Sequence, residues 1–268
     1  MKHLLLALLL ATSTFSAQEQ QWRETRRANL TGENGWLTLV GLDWLHQGAN
    51  DVRLPSHPAV TKRFVLRDGK VSVDGKVLRD DTDPKGPDVM HVGTLSYQVI
   101  KRGDKNGDHY GIRMKDPASK ARTHFLGLQY FPADPAYRVE ARFEPYRPAK
   151  KIAITNVLGM TSDEIAPGAL VFTLKGKTYR IDPILEQGEK DLFIIFKDKT
   201  SAKETYGAAR YVYAPPPDAN GRTVIDFNHA YNPPCAFTPY ATCPLPPRQN
   251  RLPLRIEAGE LKYAGGHS

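Results

Sequence analysis

The stretch "RFVLRDGKVSVDGKVL", from Arg63 to Leu78, alternates apolar and polar residues on both sides of two Asp-Gly pairs. A period of two sends successive side chains to opposite faces of a β-strand. Asp-Gly between such runs is a strong signal for a tight two-residue hairpin turn. The stretch therefore predicts short antiparallel strands that turn at Asp68-Gly69 and at Asp74-Gly75.

The same pattern recurs along most of the chain. A further turn signal lies inside "YQVIKRGDKNGDHYGIRMKD" (97–116), and "YRVEARFEPY" (137–146) is another run with a period of two. Hairpin-like returns continue to the run "LPLRIEAGELKY" (252–263). About ten to twelve short strands predict a mainly β protein, built as an antiparallel sandwich or a partly closed barrel.

One short N-terminal helix is predicted before the strands begin. The segment "QQWRETRRANLTG" (20–32) has a helical composition and stops at a glycine, a residue that commonly ends helices. No flexible linker divides the rest of the chain. We therefore predict a single β-rich domain over residues 18–268, in which residues 18–60 are the candidate for a wrap-around N-terminal subdomain.

The first residues have the composition of a signal peptide. A basic start precedes the apolar run from Leu4 to Ala11, and small and polar residues follow it. This run has eight residues, whereas a membrane-crossing helix needs about 20. We predict that residues 1–17 are a cleaved signal peptide, that the mature chain has no transmembrane segment, and that the protein is periplasmic or secreted.

The net charge favours anionic partners of small size. The chain has 37 basic and 29 acidic residues, for a net charge of +8. The basic residues are interspersed with acidic and apolar ones instead of forming a stripe, which argues against a nucleic-acid partner. We therefore expect a small polar or anionic ligand.

Established catalytic and metal-binding motifs are absent from the sequence. It contains no G-x-S-x-G, H-E-x-x-H, Walker or G-x-G-x-x-G pattern. The eight histidines are scattered, with no pair at the spacing that places two ligands on one helix face. The sequence thus predicts no cofactor and no metal site, although a metal site assembled from distant strands stays open.

The segment from Pro233 to Pro247 contains six prolines and the only two cysteines of the chain. Proline fixes φ and removes a hydrogen-bond donor, so this segment is predicted to be a rigid loop and not an interior strand. In an oxidising compartment, Cys235 and Cys243 are predicted to form a disulfide. A pair of free thiols, one of them nucleophilic, is the alternative.

Polar residues flank this loop and supply the candidate site. Asp226 and His229 are candidates for an acid/base pair, and arginines are suited to bind carboxylate or phosphate groups. We predict that the ligand-binding residues are Arg122, Arg210, Asn228, Tyr231, Asn232, Asn250 and Arg251.

The run "DFNHAYNPPCAFTPYATCPLPPRQNRLPLRIEAGE" (226–260) resembles a bacterial exported family that is catalogued only as a domain of unknown function. The stretches "HFLGLQYFPADPAYRVEARFEPY" (124–146) and "LFIIFKDKTSAKETYGAARYV" (192–212) share the resemblance. It implies a single domain, often with an export signal, and no established activity. Ala208 and Ala209 stand where similar sequences often have glycines.

Three functional hypotheses follow from these observations. The first is a binding protein whose pocket is formed by the rigid Pro/Cys loop. The second is a periplasmic hydrolase that uses the Asp226 and His229 pair. The third is a structural envelope protein in which the loop is a plug, with Phe237, Tyr240 and Leu245 sealing the end of the barrel.

Overall fold

The computed structural model describes residues 2–56, 58–186 and 188–266, with side chains from residue 14 onward. The protein is mainly β, and its antiparallel sheets form a half-barrel. This confirms the fold class predicted from the sequence. The strands are β1 (Leu39–Trp44), β2 (Gly48–Leu54), β3 (Val60–Arg67), β4 (Lys70–Val73), β5 (Lys76–Leu78), β6 (Met90–Val92), β7 (Leu95–Asp104), β8 (Gly107–Lys115), β9 (Arg138–Thr155), β10 (Thr161–Leu174), β11 (Lys177–Ile181), β12 (Leu192–Phe196), β13 (Arg210–Ala214) and β14 (Arg222–Asp226).

The Asp-Gly turns lie where the sequence predicts them. Asp68 and Gly69 have φ values of 50° and 70° and connect β3 to β4. Asp74 and Gly75, at 49° and 77°, connect β4 to β5 in the same way. Two successive positive φ values match the right-handed twist of the flanking strands, which is why this dipeptide fixes the strand register.

Four sheets form two units. The N-terminal unit contains two four-stranded sheets, β1-β8-β7-β6 and β2-β3-β4-β5. The C-terminal unit contains the sheet β11-β10-β9-β14 and the pair β12-β13. The single domain predicted over residues 18–268 stays a prediction, as does the wrap-around subdomain.

Each unit has its own apolar core, and a third cluster joins them. Phe64 and Ile112 lie in the first core, and Phe172 and Ile194 lie in the second. The third cluster packs Leu39 of β1 against residues of the C-terminal unit, including both cysteines. The Pro/Cys loop (residues 233–247) therefore lies at the junction of the two units. It contains a short 3₁₀ turn at Pro234–Ala236, and a second one at Arg248–Asn250 follows it directly.

The N-terminal helix α1 spans Lys2–Thr31, and a one-turn helix α2 spans Lys120–Thr123. Helix α1 ends where the sequence predicts, with the Gly32 N–H donating to the Ala28 carbonyl at 2.8 Å, but it begins earlier than the predicted residue 20. The predicted signal peptide includes residue 1, which lies outside the described residues, and its cleavage stays a prediction. None of the described helices combines the length and apolar character needed to cross a membrane.

Candidate functional site

A cavity of about 750 Å³ lies between the two units, within the size range of small-molecule sites. Helix α1, strands β7 and β8, the β9–β10 hairpin, strands β12 and β13, and the Pro/Cys loop all contribute to its walls. The aromatic and charged lining residues are Trp22, Trp36, Phe193, Tyr211, Tyr213, Tyr231, Arg26, Lys101, Arg102, Arg113, Glu164 and Glu186.

Two arginines of the β7–β8 hairpin share one carboxylate beside the cavity. Arg102 Nη1 lies 2.9 Å from Asp81 Oδ2, and its Nε donates to Thr242 Oγ1 of the Pro/Cys loop at 3.2 Å. Arg113 Nη1 lies 3.9 Å from the same Asp81 oxygen, too far for a hydrogen bond. Two positive charges therefore face one negative charge at this corner.

Arg113 is a buried cation whose charge is only partly compensated. Its exposed fraction is 7%, and its Nε has no hydrogen-bond partner among the described residues. Burial, together with a smaller contribution from the charge of Arg102, lowers the pKa of Arg113 to about 10, against the opposing effect of Asp81. The Trp36 ring, 5.3 Å from the guanidinium carbon, supplies a weak cation–π contact. An anion beside Arg113 would supply the missing negative charge.

An aromatic wall lines the side of the cavity formed by β12 and β13. The Phe193 and Tyr213 rings stack with their centroids 4.8 Å apart, and Tyr231 stacks on Tyr213 at 6.4 Å. Burial raises the pKa of Tyr213 and of Tyr231, so both phenols stay neutral well above pH 7. The Tyr213 hydroxyl donates to Glu186 Oε2 at 2.7 Å. A flat apolar group of a ligand can pack against this wall.

Helix α1 and the start of the Pro/Cys loop are held together by a buried ion pair. Arg26 Nε donates to Glu260 Oε1 at 2.7 Å, and its guanidinium lies over the Tyr231 ring at 4.6 Å. The other oxygen of Glu260 accepts from the Asn232 backbone N–H at 2.8 Å. Of these two predicted ligand residues, Tyr231 lines the cavity, whereas Asn232 is buried and does not. The bond from the Asn232 backbone to Glu260 holds the backbone next to Tyr231 in place.

The predicted arginines lie elsewhere and have structural partners. Arg210 is 1% exposed, is paired with buried Asp198 at 3.2 Å, and donates to backbone carbonyls of the C-terminal segment. Arg122 donates to the carbonyls of Thr31 and Pro117, where it holds the end of helix α1. Arg251 is exposed at the surface. The structure thus brings none of these three to the cavity.

The predicted residues Asn228 and Asn250 are buried, and backbone groups satisfy their side chains. Asn228 donates to the Asp134 carbonyl at 3.0 Å and accepts from the Asp134 N–H at 3.0 Å. Asn250 forms the equivalent pair of bonds with the backbone of Asp182, at 2.8 Å each. Both side chains connect segments that are distant in sequence. This structural role accounts for their presence in the C-terminal motif, and no ligand is needed to explain it.

The two cysteines are free thiols in the structure, so the predicted disulfide is not formed there. Both are buried, and the Cys235 backbone N–H donates to Cys243 Sγ at 3.1 Å. A hydrogen bond between the thiols lowers the pKa of Cys235 and raises that of Cys243. Only Cys243 lines the cavity. The two thiols are close enough to interact, and disulfide formation under oxidising conditions stays a prediction.

Asp226 and His229 lie close together but do not line the cavity. They form a separate cluster with Glu19 of helix α1, in which the three potential ligand atoms lie within 4.8 Å of one another. The Trp22 ring, which does line the cavity, stacks on His229 with a centroid distance of 4.5 Å. The aromatic ring of Trp22 therefore separates this cluster from the cavity.

Sequence reasoning missed the main charged residues of the cavity. Arg113 lies between Ile112 and Met114 in a strand segment that is buried on both faces. A cation inside such an apolar run is an available signal, because strands with two buried faces rarely contain charges without a partner. On helix α1, Trp22, Arg26 and Asn29 lie at the i, i+4, i+7 spacing of one helix face, and all three line the cavity.

Comparison with known proteins identifies a family but no activity. A family model described as "Protein of unknown function (DUF1684)" matches residues 123–261, which include the Pro/Cys loop but neither Arg102 nor Arg113. The chain is also similar to the solution NMR structure of the uncharacterized protein from gene locus rrnAC0354 of Haloarcula marismortui. The two are 32% identical over 52% of this chain and 78% of that chain, with a TM-score of 0.44. No curated protein matches the chain.

Proposed function

The chain belongs to the DUF1684 family of proteins of unknown function, and we propose that it is an exported protein that binds a small anionic ligand in the cavity between its two units. The ligand's anionic group, a carboxylate or a phosphate, binds at Arg113 and Arg102. Its apolar portion packs against the aromatic wall formed by Phe193, Tyr213 and Tyr231.

The observation that carries this proposal is the incomplete pairing of Arg113. A guanidinium with an exposed fraction of 7% and an unpartnered Nε is costly to keep inside a protein. The Arg113 side chain lies on the cavity wall. An anion bound in the cavity would therefore complete its hydrogen bonds and offset the cost of burying its charge. Arginine is well suited to this task, since its planar fork matches carboxylate and phosphate oxygens.

The geometry favours this proposal over the two alternatives. A plug would fill the space beside the Pro/Cys loop, whereas a cavity of about 750 Å³ is present there. A hydrolase that used Asp226 and His229 would need them to face a substrate pocket of this kind, and they lie behind Trp22. Export is supported by the sequence of the first 17 residues.

A thermal-shift screen tests the proposal. Inorganic phosphate, benzoate and phenyl phosphate are compared with phenol and benzyl alcohol, which have the ring but no charge. We expect the aromatic anions to raise the melting temperature of the wild-type chain most, because ligand binding to the folded state stabilises it. A screen in which anions and neutral compounds act alike would contradict the proposal.

A further inference from the structure

We propose that Glu19, Asp226 and His229 form a binding site for a divalent transition-metal ion. The site is separate from the ligand cavity, and it does not depend on the function proposed above. It combines one residue of helix α1 with two residues from the end of β14 and the short turn that follows it.

The three potential ligand atoms are already close to the geometry that an ion requires. They lie within 4.8 Å of one another, and His229 Nε2 is 2.9 Å from Glu19 Oε1. An ion about 2.1 Å from each ligand atom separates neighbouring ligands by about 3 Å and opposite ligands by about 4 Å. Small side-chain adjustments therefore suffice to bring all three atoms into coordination.

Two carboxylate oxygens in this cluster have no hydrogen-bond partner among the described residues. They are Glu19 Oε2 and Asp226 Oδ2, on residues that are 3% and 8% exposed. The nearest cation to Asp226 Oδ2 is Arg138 Nη1 at 3.9 Å, on a side chain that is half exposed. Buried carboxylate oxygens without partners are unfavourable, and a divalent cation would satisfy both at once.

Neighbouring groups hold the ligands in place. Asp226 Oδ1 accepts from the Asn228 backbone N–H at 3.0 Å and from Asn228 Nδ2 at 2.9 Å, which leaves Oδ2 free. The Trp22 ring lies parallel to the His229 ring, with an interplanar angle of 2°. Supporting contacts of this kind are what orient the ligands in established metal sites.

The donor set indicates the class of ion. An imidazole nitrogen with two carboxylates suits zinc or manganese better than calcium, which prefers six or more oxygen ligands. Two negative carboxylates also balance the charge of a divalent ion. Of the three residues, Glu19 also lines a second cavity of about 410 Å³.

Isothermal titration of the metal-stripped full chain with Zn²⁺ and with Mn²⁺ tests the site. We expect one ion per chain and weak or no binding of Ca²⁺. Glu19→Gln and His229→Gln should each weaken binding by about 100-fold or more, and Asn228→Ala should weaken it by about 10- to 100-fold by releasing Asp226. Glu24→Gln removes an exposed carboxylate from the same helix and should leave binding unchanged.

Circular dichroism of each variant establishes that it is folded, and Asp226→Asn replaces Glu19→Gln if the latter does not fold. No binding of either ion to the wild-type chain would overturn the proposal. So would binding that survives both Glu19→Gln and His229→Gln. Because Arg113→Met leaves this cluster intact, that variant should bind the ion as the wild type does, even if anion binding in the large cavity is lost.

Discussion

The guanidinium of Arg113 lies 3.9 Å from Asp81 Oδ2, an oxygen that Arg102 already contacts at 2.9 Å. One carboxylate thus serves two arginines, and the more buried of the two has the weaker contact. The remaining positive charge lies on the wall of the cavity. This arrangement is unfavourable in the chain without a ligand, and under the proposed function an anion bound beside Arg113 would offset that cost.

Arg113→Met is expected to stabilise the ligand-free chain. Replacing a poorly compensated buried charge with an apolar side chain should raise the free energy of unfolding by about 1–2 kcal/mol. Asp81 keeps its partner Arg102, so the substitution leaves no carboxylate without an ion-pair partner. Urea denaturation of the two proteins measures the difference, and a loss of stability would show that Arg113 has a structural role.

Arg210→Met is the comparison variant, because Arg210 is also buried but its guanidinium lies 3.2 Å from the Asp198 carboxylate and donates to the Ile256 carbonyl. Its removal leaves the side chain of Asp198, which is fully buried, without its ion-pair partner. We therefore expect this variant to lose about 3–5 kcal/mol of stability. Opposite signs for the two substitutions would separate a ligand-binding arginine from a structural one.

Anion binding is expected to weaken at high pH. Burial lowers the pKa of Arg113 in the folded chain to about 10, well below the ordinary value of an arginine. Its charge is therefore fully present at neutral pH and is lost as the pH rises through 10, so the affinity should fall by up to about tenfold per pH unit above that point. Titrations between pH 8 and pH 11 measure this, and a constant affinity would contradict the role of Arg113.

A rise in pH above 10 is expected to weaken anion binding but to stabilise the fold. Because burial lowers the pKa of Arg113 in the folded state to about 10, the unfolded chain binds this proton more tightly at pH values above about 10. The destabilising effect of Arg113 is present below pH 10 and is relieved above it. The stability gained by Arg113→Met should therefore be largest at neutral pH.

Much of the fold could be predicted from the sequence because its determinants are local. The turns at Asp68-Gly69 and Asp74-Gly75 depend on two adjacent residues, and the alternation beside them fixes which face is buried. The end of helix α1 at Gly32 is local in the same sense. These features lie where the sequence predicts them.

The site was harder to predict because burial of a charge depends on distant partners. Arg210 looks like a ligand residue until Asp198 and the carbonyl of Ile256 are brought to it by folding. In the sequence, Arg113 resembles a solvent-facing residue of an alternating strand. In the folded chain, both faces of β8 are buried at this point. Tyr231 lines the cavity, and its rigid, proline-rich surroundings are the local signal that marks this wall. Its role in binding a ligand stays a prediction.

Tyr231→Leu should discriminate between aromatic and inorganic anions. Loss of the ring that stacks on Tyr213 is expected to weaken phenyl phosphate binding by about 2- to 10-fold. Binding of inorganic phosphate should change little, since it does not use the aromatic wall. Tyr231→Phe keeps the ring and should behave as the wild type. Equal losses for both anions in Tyr231→Leu would point to a general disruption of the loop.

In an oxidising compartment, Cys235 and Cys243 are expected to form a disulfide bond. Closing this short loop should raise the free energy of unfolding by about 2–3 kcal/mol. Unfolding with and without a reductant measures the effect, and Cys235→Ala should abolish the dependence on reductant. Complete alkylation of both thiols in protein isolated from the periplasm would contradict the predicted disulfide.

Titration of phenyl phosphate into the wild-type chain and into Arg113→Met at pH 7.5 measures whether Arg113 binds the anion. We expect one binding site in the wild type and an affinity at least about tenfold lower in the variant, since a charge-assisted hydrogen bond contributes about 1.5–3 kcal/mol. Arg251→Met, which removes an exposed arginine, should bind as the wild type does. Equal affinities for the wild type and Arg113→Met would contradict the account.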